Sequence, residues 1–137
     1  MNEKLDITTL INSCNTLKNS IDIYKEYSDE DYLADSIRSG VIQNFEVSYE
    51  LSWKFMKRWL ELNISPDIVK GVSRKEFYRI AFNNLLISDI QKWWDFHEAR
   101  NKTSHIYDED IAEEVLSVAF EFLYYLEDFI LELEKRL

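Results

Sequence analysis

The sequence predicts an all-α protein, an antiparallel up-and-down bundle of four to five helices, and three observations carry that reading. Only two glycines and one proline fall in 137 residues, so strong turn formers and helix breakers are nearly absent. Apolar residues recur at steps of three and four over long stretches, as they do when one face of a helix is buried. The intervals between those stretches are short, which sets consecutive helices side by side.

Residues 5 to about 27 carry Ile7, Leu10, Ile11, Cys14, Leu17, Ile21 and Tyr24 on one stripe, the first helix. Cys14 lies on that stripe and reads as a small buried hydrophobe rather than a reactive thiol. Ser28, Asp29, Glu30 and Asp31 supply a cap and first-turn acids for a second helix of about 30 residues. Its stripe is Ile37, Val41, Phe45, Tyr49, Trp53, Met56 and Leu60, and a second apolar row through Ile42 and Leu51 marks it as central. Gly40 inside it costs about 1 kcal/mol relative to alanine.

Asn63, Ile64, Ser65, Pro66 and Asp67 break that helix, and Gly71 falls in the loop that follows. Ser73 with Glu76 three residues on has the pattern of a capping box, opening a short helix with Phe77, Ile80, Ala81 and Phe82 on its apolar side. Ser88 and Asp89 cap a fourth helix that carries Ile90, Trp93, Trp94 and Phe96 and runs to about Arg100; its aromatics read as core rather than as base-stacking platforms. From Glu109 onward, Ile111, Val115, Val118, Phe122, Leu126, Phe129 and Leu133 mark a long final helix. Further rows through Ala119, Leu123, Tyr124 and Ile130 exceed the needs of one seam. They suit either a helix-mediated homodimer or burial against a second helix of the same chain.

The length suits one domain spanning residues 1–137. A single cysteine excludes an intramolecular disulfide and points to a reduced, cytoplasmic setting. No apolar run approaches the roughly 20 residues of a membrane span. Met1, Asn2, Glu3 and Lys4 lack the basic-then-apolar order of a signal peptide, so a soluble protein with no membrane partner is expected. The net charge of −10 argues against non-specific binding to long nucleic acid. Residues 54–79 depart from that average: seven basic against three acidic side chains give a local +4. Such a segment is either a solvated helix face or a surface for a phosphate-bearing ligand or an acidic partner.

Arg100, Asn101, Lys102, Thr103, Ser104, His105, Ile106 and Tyr107 form the stretch with the most chemistry. Arg100 falls on the last turn of the fourth helix, with His105 and Tyr107 in a short link before the acidic start of the next. A guanidinium is a permanent fork for phosphate, an imidazole moves protons near neutral pH, and a phenol donates a hydrogen bond or acts as a nucleophile. The macrodipole alone favours a cation in a last turn, and Asn, Ser and Thr are ordinary loop formers. That account leaves the histidine and tyrosine unexplained.

Metal-free cleavage of RNA needs a base for the 2′-hydroxyl, an acid for the leaving oxygen and a cation for the phosphate. His105 can serve as base or acid and Arg100 as the clamp; a symmetric dimer would bring a second copy of the motif to supply the other role. No Gly-rich phosphate loop, cysteine pair or zinc-binding histidine helix is present, so neither metal nor cofactor is called for. His97, one turn before Arg100, either supports the site by hydrogen bonding or packs half-buried. Glu46 and Glu50 stand one turn apart on the second helix and repel unless a cation intervenes. Lys54 can pair with Glu50, and Arg38 or Arg100 is the candidate partner for Glu46.

Arg100 and Asn101, followed by three residues and His105, resemble the Arg-polar-x3-His signature of the HEPN superfamily, and Tyr107 completes the Arg-x4-His-x-Tyr form of HepT-type toxins. Arg38 to Glu46, then Tyr49, Glu50, Leu51, Ser52, Trp53 and Lys54, are similar to the nucleotidyltransferase substrate-binding branch of that superfamily, as are Ala81, Phe82, Leu86, Ile87, Asp89 and Trp93. Asn84 departs from that branch, where glycine often precedes Leu-Ile.

The resemblance implies a HEPN-like dimer encoded beside a minimal nucleotidyltransferase. It implies a toxin of a type VII-like toxin-antitoxin pair: a metal-independent endoribonuclease with Arg100 and His105 catalytic, to which the residue reading above adds Asn101, Glu46 and His97 as supporting groups. The partner would neutralise it by transferring AMP to Tyr107. The rival reading is a non-catalytic nucleotide- or substrate-binding subunit of a two-component nucleotidyltransferase, and a purely structural helical adaptor is a third.

Overall fold

Among the described residues, 5–137 of the computed structural model, five α-helices and one 3₁₀ turn form, and no strand. The helices are α1 (Thr8–Tyr27), α2 (Asp31–Asn63), α3 (Arg74–Asn83), α4 (Ile90–Asn101) and α5 (Glu109–Lys135), with the 3₁₀ turn at Thr103–His105. Met1, Asn2, Glu3 and Lys4, read above for the lack of a signal sequence, lie outside the described residues. No helix among the described residues is long and apolar enough to cross a membrane.

The element order is the predicted one, with corrections at the ends. The first helix starts at Thr8 rather than Leu5, because the Asp6 carboxylate accepts the Thr8 amide at 3.0 Å and the Thr8 hydroxyl at 2.6 Å. Leu5 and Ile7 remain buried ahead of it. The expected side-chain cap on α2 does not form. Ser28 is spent as the C-cap of α1, and the Glu30 carbonyl receives the Leu33 and Ala34 amides in a tight helix-helix turn. α3, α4 and α5 do begin on side-chain caps. Ser73 accepts from Glu76 N, Asp89 from Lys92 N, and Asp108 from Asp110 N and Ile111 N.

α1 lies along α2 and both pack on α5, while α3 and α4 close the remaining side of α2 and α5. The centre of the core is aromatic. Phe122 of α5 meets Phe45 at 5.2 Å, Trp93 at 5.6 Å and Phe96 at 5.1 Å between ring centroids, all close to edge-on, the geometry that ring quadrupoles favour. Cys14 is buried as expected, and burial pushes its thiol up to about 11.

Two aromatic assignments need correction. Trp93 and Phe96 belong to the core, but Trp94 is only half-buried, its ring shared between Lys75 and His97. One residue along a helix turns the side chain about 100°, which carries Trp94 off the buried face. Phe82, expected on the apolar side of α3, is exposed and borders a groove. The surplus rows on α5 bury within the protomer at Ala119, Leu123 and Ile130; Tyr124 alone of that set stays exposed.

α3 ends in a Schellman motif, with Leu86 N bonded to Ala81 O and Leu85 N to Phe82 O. The motif demands a left-handed residue, and Leu85 takes it with φ of 63°. Leu85 is 71% exposed, so it recovers little by burial. Asn84, where the resemblance expects glycine, keeps a negative φ. Leu85→Gly is expected to stabilise the fold by about 1 kcal/mol by removing the left-handed penalty. Thermal and urea denaturation measure it, and an unchanged or lower midpoint contradicts the expectation.

Candidate functional site

The motif occupies the C-terminal turn of α4 and the 3₁₀ turn after it. Arg100 is held from α2: its Nε lies 3.2 Å from Glu50 Oε1, and a terminal nitrogen lies 3.6 Å from Glu46 Oε2. The Nε contact is electrostatic, since Nε is buried with no hydrogen bond along its N–H direction. The other terminal nitrogen donates to Thr103 Oγ1 at 3.3 Å, and that hydroxyl donates to the Arg100 carbonyl at 2.8 Å. Glu46 therefore finds Arg100. Arg38 is committed elsewhere, to Glu109, Glu113 and Asp35. Glu50 takes Arg100 and the Trp53 indole N–H rather than Lys54.

His105 and Tyr107 sit on the surface just beyond. The 3₁₀ turn is closed by His105 N to Lys102 O at 3.0 Å and continued by Asp108 N to His105 O at 3.1 Å. Their rings stand 6.2 Å apart in a tilted, edge-on pair, and Tyr107 is 86% exposed. The short turn presents imidazole and phenol to solvent, while Arg100, on the last turn of α4, is held by α2.

His97 and Asn101 belong to a polar layer that the sequence did not reveal. Tyr49 is fully buried, its hydroxyl receiving Arg74 Nη1 at 3.0 Å and lying 3.1 Å from His97 Nδ1 and in contact with the Tyr78 hydroxyl. His97 Nε2 faces Asn101 Nδ2 at 3.4 Å. His97 Nδ1 and the Tyr49 hydroxyl share one hydrogen bond, whose donor follows the His97 tautomer. His97 is thus both half-buried and hydrogen-bonded. Burial raises both phenols, so Tyr49 and Tyr78 stay protonated. One signal pointed there: a tyrosine on an apolar stripe needs a partner for its hydroxyl once buried.

A groove of about 540 Å³ runs between the α3–α4 turn and the C-terminal half of α5, lined by Phe82, Leu86, Trp93 and Phe129 among others. It contains none of Arg100, Asn101, His105 or Tyr107, and its lining is mostly apolar. The motif is a surface site.

Burial and the nearby Arg74 charge push His97 below its ordinary 6.5. The folded state therefore binds fewer protons than the unfolded state in the interval between the lowered value and 6.5. Stability from this group is complete above pH 6.5 and is lost as pH falls through the lowered value. An NMR titration is expected to place the His97 midpoint below 6.5. Stability of His97→Gln should also fall less between pH 7 and pH 5 than that of the parent; equal slopes would contradict the expectation.

An all-helical bundle with an Arg-Asn-x3-His-x-Tyr turn at a helix end defines a class, and sequence comparison gives it a family. The chain belongs to the nucleotidyltransferase substrate binding protein-like family, whose profile matches residues 5–135. A Haemophilus influenzae protein described as a probable ribonuclease HepT is 40% identical over 90 residues, which are 65% of this chain and 62% of that protein. A second likeness is to a solved Haemophilus influenzae structure, described as revealing the fold of a substrate binding domain of a nucleotidyltransferase. It superposes with a TM-score of 0.84 at 30% identity, over 94% of this chain and 99% of that one. A Thermus thermophilus structure, at 22% identity and TM-score 0.65 over 85% of this chain and 98% of that one, shares the fold.

Proposed function

We propose that the chain is a HepT-like toxin, a metal-independent endoribonuclease that works as a homodimer and is held in check by a minimal nucleotidyltransferase. The observation that carries this reading is an Arg100 fixed by Glu46 and Glu50 at the end of α4, followed directly by a turn that exposes His105 and Tyr107. In the reaction, one imidazole takes the proton of a 2′-hydroxyl and the freed oxygen attacks the adjacent phosphorus. The P–O5′ bond breaks, leaving a 2′,3′-cyclic phosphate, and a second imidazole returns a proton to the 5′-oxygen. Each chain offers one His105, so the partner copy supplies the second. Arg100 stabilises charge on the phosphoryl oxygens, and Glu46 and Glu50 hold it in place between turnovers.

Cleavage of a labelled single-stranded RNA in EDTA tests this reading. Wild type is expected to leave cyclic-phosphate ends, and His105→Ala, prepared identically, to lose at least about a hundredfold in rate. Equal cutting by the two proteins overturns it.

Tyr107 is the proposed AMP acceptor, supported by its exposure and its position beside His105. With the partner transferase and ATP, intact mass is expected to rise by one AMP and cleavage to stop; Tyr107→Phe is expected to cut RNA and take up no AMP. AMP uptake by Tyr107→Phe removes Tyr107 from this role.

The second reading, a non-catalytic subunit that presents a nucleotide or substrate to the transferase, draws support from the charge around Arg100. Two carboxylates already balance that guanidinium, as in a structural ion pair. Calorimetry with ATP, for the chain alone and with the transferase, decides: no measurable affinity in either form removes this reading.

A further inference from the structure

The cations of this acidic protein divide into two groups. Arg38, Lys92, Arg100, Lys102 and Arg136 each pair with a carboxylate on another part of the chain or a turn away. Lys54, Lys57, Arg58, Lys70, Arg74 and Lys75 have no carboxylate within ion-pair distance among the described residues. Lys18 and Lys25 on α1 are unpaired too, but the other six run from the C-terminal third of α2 to the start of α3.

Two of them lie on the only two half-buried tryptophans among the described residues. The Arg74 guanidinium stacks over Trp53 at 4.0 Å, and the Lys75 ammonium lies over Trp94 at 4.6 Å. From each ring a track of contacts leads to the motif. Trp53 donates to Glu50 Oε2 at 3.1 Å, and Glu50 Oε1 holds Arg100. Trp94 packs on His97 at 5.2 Å, and His97 faces Asn101. On α2, Trp53, Lys54 and Lys57 share the helix face of Glu46 and Glu50, by their spacing of three, four and seven. The buried Trp59 also lies under a cation, but its Arg136 is bound to Glu132 and to the Asn84 and Leu85 carbonyls, whereas Arg74 and Lys75 reach no carboxylate and their rings are half-exposed.

We propose that Trp53 and Trp94, with Arg74, Lys75, Lys54 and Lys57, form the surface along which single-stranded RNA approaches Arg100 and His105. This rests on the ribonuclease reading and extends it to how the substrate is held. Bases stack on the two rings and on the Arg74 guanidinium plane, and phosphates take the lysines, the combination that binds unpaired strands with little regard to sequence. A duplex keeps its bases stacked on each other and offers the rings nothing, so the surface selects single strands.

The test uses the full chain carrying His105→Ala, so that binding is read without cleavage, and a fluorescein-labelled oligouridylate followed by anisotropy across a salt series. Trp94→Leu is expected to weaken binding about tenfold. Lys75→Gln and Lys54→Gln, both exposed and safe for the fold, are each expected to lower the slope of log affinity against log salt by about 0.7. The matching duplex is expected to bind more weakly than the single strand. Parent-like binding by all three variants overturns the proposal, as does equal affinity for duplex. If wild type cleaves RNA while these variants bind like the parent, the surface is wrong and the nuclease reading stands. If wild type fails to cleave while the variants lose binding as described, the surface stands and the nuclease reading falls. Loss of transferase binding in the lysine variants, with oligouridylate binding unchanged, assigns the patch to an acidic protein face and also overturns the proposal.

Discussion

Tyr49 is where the apolar core ends and the site begins, and the geometry above it depends on that one side chain. Its ring packs against Phe45 and Phe122, so its position is set by the bundle interior. Its hydroxyl, with no water to turn to, must find its partners in the protein. It takes Arg74 from α3, Tyr78 from α3 and His97 from α4. Three helices are thereby registered at one oxygen, and the His97 ring that results faces Asn101 of the motif. A phenylalanine at the same position would preserve the packing and leave Arg74 and His97 without their shared partner.

Ion pairs do the same work at the other end of the motif. Arg100 is drawn onto Glu46 and Glu50, and Arg38, buried and bound to both Glu109 and Glu113, pins the first turn of α5 to α2. Arg38 holds its Glu109 partner below the usual carboxylate range. The 3₁₀ turn with His105 and the exposed Tyr107 is thus suspended between two anchors on α2, the Glu46–Glu50 pair before it and Arg38 after it. The turn is short, and both of its ends are fixed. Exposed side chains on such a turn keep their positions without being buried, which suits groups that must be reached from outside.

The fold was legible because its signals are local. Stripes of apolar residues, scarce glycine and proline, capping residues at Ser73 and Asp89, and the acidic starts of the second and last helices place four of the five helix starts within a residue or so. The start of α2 was legible in position and not in mechanism, since a tight turn used backbone bonds where a side-chain cap was expected. The motif was legible too, being contiguous. The polar layer was not, because Tyr49, Arg74, Tyr78 and His97 come from three helices and meet only after packing. Period alone likewise put Trp94 with Trp93 in the core. Which of two adjacent tryptophans is buried depends on where the neighbouring helices lie.

The contrast between the groove and the motif bears on the kind of ligand involved. The groove by α5 is concave and mainly apolar, with Asp128, Glu132 and Lys135 on its border, the form of a small-molecule or helix-binding site. The motif is polar, open and on a helix end, with a line of unpaired cations and half-exposed rings beside it. A polymer gains little from a single groove the size of one small ligand, and draws its affinity from many weak contacts spread over a surface. A nucleotide presented for transfer, by comparison, needs a base pocket to hold it against loss to solvent. The hollow of about 230 Å³ beside Ala99 and Lys102 is edged by Asp95, Glu98, Glu114 and Glu121, acids that repel the phosphates of a nucleotide, so on the proposed ribonuclease reading the open surface suits a strand of RNA better than a single nucleotide.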